Sequence, residues 1–268
     1  VVVAISSTLT KKSLGQHWLE DVPTLEAIVD LAELKPKDVV LEVGPGQGSM
    51  TKLLCARSSE VIAVELDSYL SSRLLGVINA DNLSVVNESI LKFDLTQLSP
   101  SYKLVANIPY YLTSNLLRLL SESSNPPSLI VLLVQKEVAE RVSAEPGKMS
   151  ILSVTTQFYW EVSLKQIVPA KIFVPPPKVD SQVILMKRRN KPLFKDIDEK
   201  AFFRLIKIGF SARRKTLLNS MANGLRVDKG LIAETLSLVK IEPSVRPQML
   251  KLSEWYEIYK VCIAKKII

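Results

Sequence analysis

Apolar residues follow two different rhythms along this chain, and the change of rhythm divides it. In the first two-thirds, short β-branched runs at Val39–Val43, Val61–Val64, Leu83–Val86, Leu104–Ala106 and Leu129–Val134 alternate with helix-length segments. Runs of this kind suit strands buried on both faces, and the intervening helices predict a parallel sheet wound with helices. Ahead of them, Val22, Leu25, Ile28, Val29 and Ala32 recur at helical spacing behind the start signal Asp21 and Pro23. Two later apolar stretches, Ile151–Leu164 and Gln182–Met186, are expected to add a terminal hairpin to the sheet. Between them Pro175-Pro176-Pro177 cannot join a ladder and reads as a stiff extended loop.

After Lys187 the period becomes helical. Phe202, Phe203, Leu205, Ile206 and Ile208 form one apolar face; Leu217, Leu218 and Met221 a second; Leu231, Ile232 and Leu236 a third; Trp255, Ile258, Tyr259 and Cys262 a fourth. Asn190, Lys191 and Pro192 interrupt the pattern. The fold expected is therefore α/β, a Rossmann-like sheet in residues 1–190, followed by a small all-helical domain in residues 191–268.

Charge sharpens the division. From Lys187 to Ile268 there are 19 Lys/Arg and 8 Asp/Glu, a net +11, whereas residues 1–186 hold 16 basic and 19 acidic residues, a net −3. Concentrating the basic excess in one module costs self-repulsion unless a polyanion uses it. The sequence has two cysteines, Cys55 and Cys262, and one histidine, His17, which offer no metal-ligand spacing and no histidine-based triad. The cysteine usage suits a reducing compartment, and a cytoplasmic protein is expected. Val1–Ile5 is too short to span a bilayer and has no basic flank, so no membrane partner is expected.

Candidate chemistry gathers at the ends of the predicted strands, where open α/β sheets bind ligands. Val39–Val43 runs into Gly44-Pro45-Gly46-Gln47-Gly48, whose spacing satisfies neither the dinucleotide fingerprint nor a phosphate-cradling P-loop. Glu42, just before that loop, would repel a pyrophosphate but suits the ammonium of an amino-acid-like cofactor. That sign of charge favours S-adenosyl-L-methionine over a nicotinamide dinucleotide. Glu65 ends the next strand, 21 residues after Gly44, where a carboxylate can accept from both ribose hydroxyls. Asn87, Glu88 and Ser89 are the candidates at the third strand tip. Asn107-Ile108-Pro109-Tyr110 follows the fourth strand. There an amide oxygen and a main-chain carbonyl can accept from an exocyclic amine while Tyr stacks on the ring; an Asn-x-Pro turn that merely caps a strand would carry the same letters.

Several blocks in order then resemble one family, the ribosomal RNA adenine N6-dimethyltransferases of the KsgA type. They are Leu14–Leu19, Glu42–Gly48, Glu65-Leu66-Asp67, Asn107–Tyr110, Gln135–Arg141, Phe173–Ser181 and Phe210–Leu217, and the match runs from about Lys11 to Tyr259. The resemblance implies that His17, Leu19, Gly44, Glu65, Ser89 and Asn107 line an S-adenosyl-L-methionine site, and Glu42 and Gly46 of the glycine-rich loop are expected there with them. It also implies that Asn107, Pro109, Tyr110 and Phe173 hold the target adenine, with Phe173 on the ring face opposite Tyr110. Arg213, Arg214 and Lys215 would contact RNA phosphate. The family has Asn where this chain has His17, and Asp where it has Ser89. A serine hydroxyl accepts more weakly than a carboxylate, so weaker cofactor affinity is expected.

The implied activity is dimethylation of two adjacent adenines in the 3′-terminal hairpin loop of small-subunit (16S) rRNA during ribosome assembly. The partner would be the rRNA in a pre-30S particle, and a monomer is expected. Alternatives that remain open are a large-subunit rRNA adenine methylase, a DNA adenine methylase, and a nucleic-acid-binding factor that kept the fold without the chemistry.

Overall fold

The computed structural model describes residues 15–212 and 214–268. Its elements, in chain order, are β1 (Trp18–Leu19), α1 (Val22–Asp30), β2 (Val39–Val43), α2 (Ser49–Cys55), β3 (Glu60–Glu65), α3 (Ser68–Val77), β4 (Leu83–Asn87), β5 (Lys103–Asn107), α4 (Thr113–Glu122), β6 (Leu129–Gln135) and α5 (Lys136–Val142). There follow α6 (Ile151–Tyr159), β7 (Trp160–Val168), β8 (Phe173–Val174), β9 (Ser181–Arg188), α7 (Glu199–Gly209), α8 (Leu217–Leu225), α9 (Lys229–Leu238) and α10 (Leu252–Ala264).

All five predicted strands form, as β2 to β6. They belong to one seven-stranded sheet of order β4-β3-β2-β5-β6-β9-β7, in which β2 to β6 pair in parallel and β9 runs antiparallel to β6. From β2 the chain builds outward to β4, then returns to the other side of β2 for β5 and β6. The order therefore reverses between β2 and β5, and a crevice opens beyond their carboxyl ends. Leu129 to Val134 of β6 are all buried, the mark of a strand covered on both faces. Each such Leu, Ile or Val contributes ~1.5–3 kcal/mol by leaving water. The expected helix start holds as well: Asp21 caps α1, accepting from the Thr24 N–H at 3.0 Å, and Pro23 lies in the first turn.

The stretch 151–164 departs from expectation. Its first nine residues form α6, and only from Trp160 does it become a strand. Val154, Thr155 and Thr156 favour a strand locally, but Ser150 and Ser153 cap each other's backbone N–H groups at 3.2 and 2.8 Å and start a helix instead. Val154 and Phe158, four residues apart, then face the same core.

The chain divides into two compact units, 1–139 with 161–188, and 140–160 with 189–268. The second is thus discontinuous, whereas the sequence reading kept residues 140–160 in the first domain. The reason is packing. Phe158 meets Phe202 with ring centroids 5.6 Å apart, and Met149, Val154 and Phe158 share one apolar cluster with Leu205, Met221 and Trp255. The four helices expected in the last third are α7 to α10. Among the described residues, no helix is long and apolar enough to cross a membrane, and no group of three or more His, Cys, Asp or Glu is placed to hold a metal ion.

Candidate active site

In the first unit a cleft of roughly 860 Å³, open mouth included, lies at the reversal between β2 and β5. Of the residues singled out from sequence, His17, Leu19, Glu42, Gly44, Glu65, Asn107, Pro109, Tyr110 and Phe173 all line it.

The loop after β2 is shaped by backbone that only glycine adopts freely. Gly44 takes φ +66° as the strand ends, and Gly46 takes φ +57° with a Cβ position only 2.4 Å from the Trp18 ring. This close approach puts the loop against Glu65: the Gly46 N–H donates to one carboxylate oxygen at 3.1 Å, and the Asp67 N–H to the other at 2.8 Å. Gly46 itself is not part of the cleft lining. Glu65 is buried, and burial raises its pKa, opposed by these two backbone donors. Each of its oxygens keeps a lone pair for a ligand hydroxyl.

Glu42 lies deeper, 2% exposed, and one of its oxygens has no hydrogen-bond partner among the described residues. Burial pushes its carboxyl up to about 8; the Thr51 hydroxyl pulls the other way, and the charge of Glu65 adds to the rise. An unpartnered buried carboxylate oxygen is costly, and a cationic ligand group would relieve the cost. The cleft therefore suits a ligand with hydroxyls at one place and positive charge at another. S-adenosyl-L-methionine has both features, ribose hydroxyls and a cationic methionine end.

At the rim, β5 ends in Asn107, held in parallel register with Leu133 of β6. The Pro109 ring lies against Gly44, its Cδ 3.8 Å from where a Cβ there would be, so the ends of β2 and β5 are in contact. Tyr110 is half-buried and its hydroxyl is 2.8 Å from the Ser181 hydroxyl, which fixes the ring. Burial raises its pKa, with the Ser181 contact opposing. Phe173 is 2% exposed and belongs to the core cluster. It comes to the cleft because β8 pairs antiparallel with β1, setting Phe173 beside Leu19.

Ser89 is not part of the lining. It follows β4, and its carbonyl accepts from the Lys92 and Phe93 N–H groups at 2.8 and 3.1 Å. Arg214 and Lys215 are exposed on the turn before α8 in the second unit, and Arg213 lies outside the described residues. Sequence reasoning missed Gln16, Trp18, Gln47 and Tyr111 as lining residues. The positions of Gln16 and Trp18 depend on the β1–β8 pairing, which joins residues some 155 apart; Tyr111 directly follows the tetrapeptide and could have been found by extending it.

Sheet order, cleft and paired carboxylates together define an S-adenosyl-L-methionine-dependent methyltransferase. Comparison with known proteins narrows the class. The family profile for ribosomal RNA adenine dimethylase matches residues 8–263, and the chain belongs to that family. It is similar to the ribosomal RNA small subunit methyltransferase A of Dehalococcoides mccartyi strain 195, 41% identical over 249 residues and covering 91% of this chain and 86% of that protein. The protein of the same name from Bacillus cytotoxicus is 37% identical, covering 96% and 92%. Among solved structures, a dimethyladenosine transferase from Plasmodium falciparum superposes with TM-score 0.78 at 24% identity, covering 93% of this chain and 98% of that one. The 23S rRNA methyltransferase ErmE does so with TM-score 0.75 at 24% identity, covering 91% and 98%; both share the fold.

Proposed function

We propose that this enzyme transfers methyl groups from S-adenosyl-L-methionine to the N6 amines of two adjacent adenines in the 3′-terminal hairpin loop of small-subunit (16S) rRNA, within an assembling pre-30S particle. The family and the similarity to small-subunit methyltransferases support the reaction and the rRNA substrate. The observation that carries the reading for this chain is the position of Asn107 and Tyr110, on the rim of a cleft whose floor holds Glu42 and Glu65.

The cofactor supplies an electrophilic methyl on a sulfonium. The protein's part is to position and polarise the nucleophile. An adenine N6 amine attacks poorly because its lone pair is delocalised into the ring. The Asn107 side-chain oxygen and a neighbouring main-chain carbonyl accept from its two N–H groups, favouring a pyramidal nitrogen whose lone pair points outward. No general base is required, because the proton can leave to solvent after transfer. The target must leave its stack, which costs a few kcal/mol. Stacking on Tyr110 offsets part of that cost, at ~1–3 kcal/mol per base. Phe173, the second aromatic that the resemblance implies for the base, is 2% exposed in the core cluster and offers almost no free face, so the stacking falls to Tyr110. The +11 charge of the last third, Arg213, Arg214 and Lys215 included, grips phosphate. The enzyme acts as a monomer in the cytoplasm.

The test is incubation with methyl-labelled S-adenosyl-L-methionine and under-methylated small subunits, followed by mapping of the label. Label on two adjacent adenines of the terminal loop is expected. Subunit binding without incorporation would identify a nucleic-acid-binding factor instead, and label only in large-subunit RNA would move the substrate.

A further inference from the structure

Tyr111 is 57% exposed at the mouth of the cleft, while Leu112 beside it is buried and Tyr110 before it is half-buried. Its backbone is nevertheless held in place. The tight turn Tyr110–Leu112 is closed by the Leu112 N–H donating to the Pro109 carbonyl at 3.0 Å and the Thr113 hydroxyl donating to the Tyr110 carbonyl at 3.1 Å. One ring edge rests over Gly15, where a Cβ would lie 3.6 and 3.8 Å from Cδ1 and Cε1. Gly15 takes φ +60°, which brings the chain up against that edge. The turn fixes the Tyr111 backbone, Gly15 lies beside one ring edge, and the residue keeps 57% of its surface in water. This is the opposite of what burial alone would select, and it suits a contact with something outside the protein.

We infer that Tyr111 is a stacking platform for the nucleotide adjacent to the adenine that enters the cleft. The inference rests on the adenine-methylating reading above. Taking one base out of a strand strips a stacking partner from each neighbour. A neighbour that remains outside is left at the mouth of the cleft, where Tyr111 is exposed, rather than at its floor, where Glu42 and Glu65 are buried. Consecutive Tyr110 and Tyr111 then divide the work: one holds the reacting base, the other the base next in line. Every base has a π-face, so the contact serves either of two adjacent targets without reading sequence. For an enzyme that modifies two neighbours, such a platform would hold the second adenine while the first reacts.

The inference is tested by comparing Tyr111→Phe, Tyr111→Leu and Tyr111→Ala. The measurements are KM for under-methylated small subunits, kcat at saturating subunits, and Kd for S-adenosylhomocysteine by calorimetry. Stacking predicts that Leu and Ala raise the subunit KM by on the order of 5- to 100-fold while Phe keeps the wild-type value. It also predicts that the subunit KM moves much further than either kcat or the cofactor-site Kd in the Leu and Ala variants. A leucine that restores the wild-type KM would show that the ring only packs on Gly15, and so would overturn the inference. An unchanged KM in the alanine variant, or a cofactor-site Kd that moves as far as KM, would overturn it equally. Should the wild-type enzyme methylate no adenine, the functional reading fails by itself. The three variants are then read by subunit binding, where equal affinities refute the platform.

Discussion

The imidazole of His17 lies along the ring of Tyr110, centroids 5.8 Å apart and planes 24° from parallel, and its Nδ1 is 2.7 Å from the Pro175 carbonyl oxygen. One side chain thereby ties the tyrosine of the rim to the proline-rich loop, with Nδ1 as the protonated, donating nitrogen. Replacing His17 with Ala removes both contacts. The expected result is a loss of ~1 kcal/mol or somewhat more, seen as a melting temperature lower by a few degrees, together with a raised KM for small subunits. Unchanged melting and KM would mean that the contact holds nothing in place.

Glu42 makes the free enzyme and the loaded one respond to pH in opposite ways. Its carboxyl is raised from 4.5 to about 8 by burial, so the fold favours the neutral acid. Its contribution to stability is complete below the ordinary carboxylate range and is lost as pH rises through about 8. The melting temperature of the free protein should fall across that window, and Glu42→Gln should flatten this part of the curve and melt higher at alkaline pH. A cationic ligand favours the ionised form, so S-adenosyl-L-methionine should bind more tightly as pH approaches about 8, and calorimetry in buffers of different ionisation enthalpy should record proton release. The glutamine variant should bind the cofactor more weakly and release no proton. A pH-independent affinity in the wild type would remove Glu42 from the site.

In the proposed reaction Asn107 polarises the amine. Asn107→Ala should lower kcat by on the order of 10²–10³, as is usual when a preorganised hydrogen-bonding group is taken from a transition state. Cofactor Kd should change far less, and melting little, because the residue ends β5 and its side chain is only partly buried. Single-turnover methylation of small subunits measures this. A rate within a few-fold of wild type would show that another group activates the amine.

Gly46 has no room for a methyl group. A Cβ there would sit 2.4 Å from one Trp18 ring atom and 3.0 Å from another, at a φ of +57° that side chains resist. Gly46→Ala should push the loop from Trp18 and break the N–H bond to Glu65, costing ~1–3 kcal/mol of stability and weakening the cofactor at least tenfold. Thermal melting and calorimetry together check it. Full cofactor affinity in this variant would show that Glu65 does not depend on the loop.

Much of the sheet could be read from the sequence because buried parallel strands announce themselves: the apolar run Leu129–Val134 of β6 has no other comfortable place. The cleft residues at the strand tips stood out for the same reason, since Glu42, Glu65 and Asn107 are polar letters at the end of apolar runs. Two things were hidden. The start of α6 rests on a reciprocal Ser150–Ser153 cap that lacks the usual glutamate or glutamine, while Val154, Thr155 and Thr156 argue locally for a strand. The β1–β8 pairing, which sets Trp18 against the Gly46 loop and Phe173 into the cleft wall, joins two-residue strands with no periodicity to detect. Tertiary packing decided both.

Because residues 140–160 interrupt the first unit before the chain returns to it, the second unit is part insertion and part C-terminal segment, not a tail alone. Deleting everything past Arg188 would strip Phe158 of Phe202 and bare an apolar helix in the middle of the remaining chain. A premature stop after Arg188 would therefore leave the 140–160 helix without its core partners, and removing the basic module cleanly would call for an internal excision as well.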